Sequence, residues 1–473
     1  MKQLSGIDAT FLYMETKEQP MHVGTLTVVE LPEGLEGSFY DHFREFFKTR
    51  VHSIDIFGKR LAKTVFELDH PGWVDAGELD LSYHIQSLTL KKPGSMAQVE
   101  EVVGTLHADV LDRTKPLWQA TVIDGLDGDK AAIYMKIHHA AIDGAAGMAI
   151  AQAMCDFSPK PREVKPPKEK EPERKPTMPE RAVLTMYDIA ANIARQQMLL
   201  LESVPKTMGQ MAELAAPVLS GKVSMPQILA PSTPFNVSIG KERRFAARDI
   251  SILDCKAIAK ATGTKLNDVA MAVTSAALRQ YLKDKHILPD ASLVAFVPIS
   301  MRDVGNADAN NQVFGMNCSL ATNYGDPLKR LQKIAEGTQT SKALSATVQD
   351  AVPAVQDFTF VGAPMILPGL MQLYGSARIA DMSLQAVNLC ISNTMGAPMP
   401  LYVSGAKIIA MYPVSIATHN VGLNVTLQSY TDKFCFGLTA AANAVPDLDV
   451  LADYIPQAFE DLKLAAAGLD AAK

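Results

Sequence analysis

At 473 residues the chain exceeds what one ordinary hydrophobic core holds, so two domains are expected. An apolar content of 48% with 20% charged residues is that of a globular protein, and a net charge of -6 excludes nucleic-acid binding through a bulk basic field. The five cysteines are scattered and form no CxxC pair, so neither a zinc site nor a disulfide framework is indicated, which fits a reducing cytosol.

Acidic residues interrupt the N-terminal stretch "MKQLSGIDATFLYMETKEQP", so it does not read as a signal peptide. No run approaches the roughly 18 apolar residues of a spanning helix. Any membrane contact is therefore expected at the surface. "GTLTVVEL" reads as a strand, and "MAQVEEVVGTLHADVL" has apolar positions at helical spacing. "PLWQATVIDGLDGDKAAIYMKIHH" contains two alternating runs around the turn-rich "LDGDK", which predicts an antiparallel hairpin. In its second strand Ile133, Met135 and Ile137 share one face, and Tyr134, Lys136 and His138 the other.

Prolines and mixed charges dominate residues 159–181, which cannot bury a core and read as a solvated linker. The stretch from Val183 to about Leu229 reads as amphipathic helix. Further on, "TKLNDVAMAVTSAALRQYL" is a helix with Thr264 as its N-cap. "ASLVAFVPIS", "AVNLCISN", "LYVSGAKIIAMYPVSI" and "GLNVTLQSYTDKFCFGLTA" read as strands, the last as a hairpin turning at "YTDK". Strands and helices do not alternate strictly, which argues against a doubly wound parallel sheet. The expected fold is α/β with mixed sheets. The expected divisions are an N-terminal subdomain over 1–158, a linker with amphipathic helices over 159–237, and a C-terminal subdomain over 238–473.

The chemistry concentrates in "KIHHAAIDGAAG", residues 136–147, with the only adjacent histidines of the chain. One reading makes an imidazole a core side chain and Asp143 a cap for the following helix. A metal site is disfavoured, because adjacent strand residues point to opposite faces and no third ligand stands at a familiar spacing. General-base catalysis is the third reading, and it favours His139, which falls where the strand ends and the chain turns. Gly144 and its small neighbours let the next helix start close to the sheet and leave room for a substrate. Asp143 is either a partner to His139 or a structural anchor paired with an arginine, with Arg50, Arg60 and Arg302 as candidates. No GxSxG elbow or plausible nucleophilic Cys accompanies the pair, which points to direct transfer between two bound substrates.

"HHAAIDG" resembles the HHxxxDG signature of CoA-dependent acyltransferases related to chloramphenicol acetyltransferase and to peptide-synthetase condensation domains. "SGIDATFLYMETKEQPMHVG", "LDRTKPLWQATVIDGL", "VPISMRD" and "LNDVAMA", with Asn267 and Asp268, are similar to stretches of the bacterial wax ester synthase/acyl-CoA:diacylglycerol acyltransferase family. The resemblance runs in order along nearly the whole chain. One stretch departs from it: where the family usually has Ser-Asn-Val-Pro-Gly-Pro, this chain reads "SNTMGAP" and lacks the first proline.

The resemblance implies two chloramphenicol-acetyltransferase-like subdomains with the active site between them. It implies transfer of a long-chain acyl group from acyl-CoA to a fatty alcohol, giving a wax ester, or to diacylglycerol, giving triacylglycerol. Acyl-CoA is then a substrate, and no cofactor or metal is called for. His139 is the expected base, with His138 and Asp143 shaping the motif and Asn267 a candidate oxyanion donor. Gly144, Ser392, Asn393 and Trp118 are candidates for the substrate site. The plainer reading of Ser392 and Asn393 is a turn held by side-chain bonds, and that of Trp118 is core packing. The expected location is cytoplasmic, peripheral to the inner membrane or to lipid bodies. Competing readings are a condensation-type enzyme using carrier-protein thioesters and a non-catalytic lipid-binding relative.

Overall fold

The computed structural model describes residues 2–62, 64, 67, 69–142, 144–166, 180, 186–187, 229–300, 313–348 and 363–471. Asp143, Arg302 and most of the expected 183–229 helix lie outside them.

The N-terminal part opens with β1 (Lys2–Gln3), α1 (Gly6–Met14) and β2 (His22–Glu30). Ser5 starts α1 by accepting the Asp8 amide on its hydroxyl. In α2 (Phe39–Lys48), Phe39, Phe43, Phe46 and Phe47 recur at helical spacing and are all buried. Then come β3 (Lys59–Ala62), β4 (Gly72–Asp75), α3 (Leu81–His84), β5 (Ile85–Thr89) and α4 (Met96–Ala108). The predicted hairpin follows as β6 (Trp118–Leu126) and β7 (Lys130–His138), with Gly128 and Asp129 at positive φ in the turn. α5 (Gly144–Met154) comes next.

The C-terminal part comprises β8 (Arg243–Ser251), α6 (Ile252–Thr262), α7 (Leu266–Asp284), β9 (Val294–Ser300), β10 (Val313–Ser319) and α8 (Pro327–Val348). It continues with α9 (Ala363–Ser376), β11 (Leu389–Thr394), β12 (Tyr402–Val403) and β13 (Ala406–Val414). β14 (Leu423–Tyr430), β15 (Lys433–Ala441) and α10 (Leu448–Ala471) complete it. The cap of α7 differs from expectation. Asp268 reaches back to the Lys265 amide at 3.0 Å, while the Thr264 hydroxyl is bonded to Thr262. A carboxylate in the first turn does the capping because it also meets the positive end of the helix dipole.

Two six-stranded mixed sheets organise the molecule, in the orders β12-β13-β2-β7-β6-β5 and β10-β9-β11-β14-β15-β8. Both combine antiparallel with parallel pairs, one parallel pair in the first (β5 with β6) and two in the second (β11 with β14 and with β9). The expected boundary at 238 does not separate the sheets. β12 and β13, far along the chain, complete the N-terminal sheet by pairing β13 antiparallel to β2. The two halves also meet where Gly437 of β15 lies against Pro413 of β13. A Cβ on Gly437 would stand 1.7 Å from the Pro413 carbonyl oxygen. α4 packs on β8 in the same way, through Gly104 against the Arg243 main chain.

β7 is a central strand and is buried on both faces, so its polar side chains need partners. Lys136 donates to the Leu106 and Asp109 carbonyls, both at 2.7 Å, closing the C-terminal end of α4. Tyr134 and the His107 Nδ1 lie 2.6 Å apart.

Candidate active site

The strand β7 ends between two neighbours that hold it by main-chain bonds. The His138 amide donates to the Leu117 carbonyl at 2.9 Å, and the His139 amide to the Met21 carbonyl at 2.8 Å. Residues 139–141 then form a single 3-10 turn before α5. The two imidazoles leave the strand in different surroundings, as the change of backbone at 138/139 requires.

His138 is fully buried. Its Nδ1 accepts the Ala140 amide at 3.0 Å, so the ring proton sits on Nε2. That nitrogen faces Glu15 Oε2 at 3.2 Å. Glu15 is itself buried, and it accepts the Met21 amide and pairs with Arg113 at 2.9 Å. Burial pushes the Glu15 carboxyl up, but His138, Arg113 and the Met21 amide outweigh that effect and hold it below its usual value.

His139 is half-buried, and its Nδ1 is buried with no hydrogen-bond partner among the described residues. Its ring stacks on Phe11 of α1, with centroids 3.9 Å apart and planes 12° from parallel. Burial, against the pull of its own main chain, lowers its pKa from 6.5 to about 4. The stacked apolar ring and the buried environment are what move it.

α1 carries more than Phe11. Leu12, Tyr13 and Ala9 form a small core with Leu117, Ala140 and Ala363, the last at the start of α9. The N-terminal stretch, the segment before β6, the histidine turn and a C-terminal helix thus close around one point.

On the C-terminal side, Asn267 lies in the first turn of α7 and Asn393 near the end of β11. The Asn393 amide donates to Asn267 Oδ1 at 3.1 Å. Among the described residues, the Asn267 Nδ2 meets only the Met271 thioether, at 3.5 Å. Its neighbour Asp268 is buried and bonded to Thr338 as well as to Lys265. Ser392 is half-buried beside Thr426 in the parallel pairing of β11 with β14. Ser392 and Asn393 therefore stand in a strand, not in the turn that was the plainer expectation. The altered "SNTMGAP" stretch keeps Gly396 where its Cβ would lie 2.0 Å from the Ser429 carbonyl oxygen. Among the described residues no hydrogen bond joins the histidine cluster to the asparagine pair.

The remaining candidates fall elsewhere. Trp118 is 1% exposed, donates its indole N–H to the Phe57 carbonyl, and stacks between Phe57, Phe47 and His84. It is a core residue of the N-terminal sheet. Gly144 begins α5. Arg50, a candidate partner of Asp143, is instead paired through both terminal nitrogens with the buried Asp156. Arg60 bonds the Leu61 carbonyl. Burial raises the thiols of Cys155, Cys255 and Cys390 to about 12 and those of Cys318 and Cys435 to about 11. None is a thiolate at neutral pH.

Comparison with known proteins matches residues 4–270 to the wax ester synthase/diacylglycerol acyltransferase catalytic domain and residues 309–463 to the family's C-terminal domain. The chain belongs to the wax ester synthase/diacylglycerol acyltransferase family. It is 32% identical to the O-acyltransferase WSD of Acinetobacter baylyi, over 97% of this chain and 96% of that one. It is also 32% identical to the "probable diacylglycerol O-acyltransferase tgs2" of Mycobacterium tuberculosis, over 97% and 98% of the two chains. The solved wax ester synthase/diacylglycerol acyltransferase of Marinobacter aquaeolei VT8 superposes with a TM-score of 0.71 at 29% identity, covering 99% of this chain and all of that one. The first condensation domain of the calcium-dependent antibiotic synthetase shares the fold, with a TM-score of 0.56 at 11% identity. The chain is accordingly an acyltransferase with a two-subdomain α/β fold, as the resemblance implied. Phe11, Glu15 and Arg113 escaped the sequence reading. The stretches that contain them were singled out, but nothing local marks them as neighbours of the histidines.

Proposed function

We propose that the protein transfers a long-chain acyl group from acyl-CoA directly to the hydroxyl of a fatty alcohol or diacylglycerol. The observation that carries this is His139: a neutral imidazole at a strand end, with one nitrogen buried and the ring clamped against Phe11. Nε2 takes the hydroxyl proton while the oxygen attacks the thioester carbonyl. The tetrahedral intermediate then expels CoA as the C–S bond breaks, and the proton on His139 goes to the sulfur. A free thiol ionises near ~8.5, so it is a good leaving group. The lowered pKa that weakens His139 as a base makes its conjugate acid a strong donor in this second half. The high thiol pKa values argue against an acyl-cysteine intermediate.

Asn267 suits the oxyanion. Asn393 occupies its carbonyl oxygen, so the Nδ2 hydrogens, which among the described residues meet only a thioether, are the ones presented. The first turn of α7 adds the positive end of a helix dipole. Asn267→Ala lowers kcat by about 100-fold with little change in acyl-CoA KM, the pattern of a donor that acts in the transition state. A KM effect with unchanged kcat contradicts it.

Peripheral contact with a lipid surface, the inner membrane or lipid bodies, belongs to the same reading. α9 contains no charged residue and exposes Met365, Ile366, Leu370 and Leu373. No helix among the described residues is long and apolar enough to cross a membrane. Flotation with liposomes tests this contact: Leu370→Glu with Leu373→Glu releases the protein, and undiminished flotation refutes the assignment to α9.

A further inference from the structure

We infer that Glu15 is a positioning residue of this site, setting the tautomer of His138 and through it the placement of His139. The inference rests on His139 as the base. Two paths lead from one buried carboxylate to the catalytic turn. In the first, Glu15 Oε2 faces His138 Nε2 at 3.2 Å, and His138 Nδ1 accepts the amide of Ala140, the residue after His139. In the second, the same oxygen accepts the Met21 amide, and the Met21 carbonyl accepts the His139 amide. The other oxygen, Oε1, takes Arg113 Nε at 3.0 Å and Nη2 at 2.9 Å, which fixes the carboxylate from outside.

A buried carboxylate is a poor device for stability alone, since apolar side chains of similar size do that work at less cost. Its charge is explained by what it orients. Only the Nε2–H tautomer of His138 leaves Nδ1 free to accept from Ala140, and the Glu15 carboxylate, 3.2 Å from Nε2 though off the line of a hydrogen bond, favours a proton on that nitrogen by its charge. If the ring held its proton on Nδ1, two donors would face each other at Ala140. The turn carrying His139 would have to move, and a displacement on the order of 1 Å at a reacting group is worth about 100-fold in rate.

Glu15→Gln is the direct test. An amide has one acceptor oxygen where the carboxylate uses two, so either Arg113 or the His138–Met21 side meets an N–H. The variant is expected to lose about 10- to 100-fold in kcat, with acyl-CoA KM held within about two-fold. In spectra of protein labelled with 15N-histidine, the His138 signal, assigned by its loss in His138→Gln, departs from the Nε2–H pattern of the unmodified chain. Arg113→Gln alters the partly exposed end of the relay without opening the core. It is expected to lose a smaller factor, about 3- to 10-fold in kcat. If Glu15→Gln fails to fold, Arg113→Gln decides alone. Unchanged kcat in the folded variants, or a loss confined to KM, overturns the inference. His139→Ala in the same assay separates the two claims. If it turns over normally, the base assignment fails; if it is inactive while the relay variants are normal, only the role of Glu15 fails.

Discussion

Phe11 and His139 make a prediction in which structure sets the pH dependence. The apolar ring covers one face of the imidazole at 3.9 Å, and burial is the main cause that lowers the pKa from 6.5 to about 4. The base form of His139 therefore persists well into acid, and kcat/KM, which reports the free protein, is expected to stay level down to about pH 5 and to fall with a limb near pH 4. Phe11→Ala admits water to one of the two ring faces. Relieving roughly half the burial moves the limb to about pH 5, about 1.4 kcal/mol in favour of the imidazolium for each tenfold change in proton affinity. Initial rates at subsaturating acyl-CoA from pH 4 to 8, with ester quantified by chromatography after quenching, give both limbs. A limb near 6.5 in the unmodified chain, or no movement in Phe11→Ala, refutes the argument.

Other consequences are simpler. Asp156→Asn leaves the Arg50 guanidinium, itself 1% exposed, without its anion, and should cost about 3 kcal/mol in denaturant unfolding; Arg50→Met with Asp156→Leu should recover part of it, and an unchanged midpoint in the single variant counts against the pairing. Gly437→Ala drives a methyl into the Pro413 carbonyl and is expected to separate β13 from β15, giving little folded protein; a normal melting curve would show that the halves do not join there. His107 and His139 are lowered to about 3 and about 4, so the unfolded chain binds protons that the folded one refuses. Their contribution to stability is complete above pH 6.5 and is lost as pH falls from there toward about 3. The melting temperature should drop across that interval with proton uptake on unfolding, and a flat profile would contradict the burial of neutral rings.

The hairpin of β6 and β7 was legible because turn residues and alternation are local signals, and the strand end at His139 followed from them. The mixed character of both sheets was legible too, since strands and helices fail to alternate. Partnerships across long separations were not. Nothing near residues 402–414 says that they pair with β2, because strand pairing is chosen by shape and burial in the folded chain. Glu15 meets His138 across more than a hundred residues, and Arg50 meets Asp156 in the same way, pairings that no local signal marks. The cap of α7 fell to a competition between two good candidates, Thr264 and Asp268, that only geometry decides.

If His139 moves the proton in acyl transfer, its loss must stop the reaction. Purified His139→Ala is incubated with palmitoyl-CoA and hexadecanol, and separately with a diacylglycerol, while ester formation and free CoA are followed. The unmodified chain is expected to form ester and CoA in equal amounts, and His139→Ala to keep its circular dichroism and acyl-CoA binding but lose turnover by about 1000-fold or more. Ester formation by His139→Ala at the unmodified rate would contradict it.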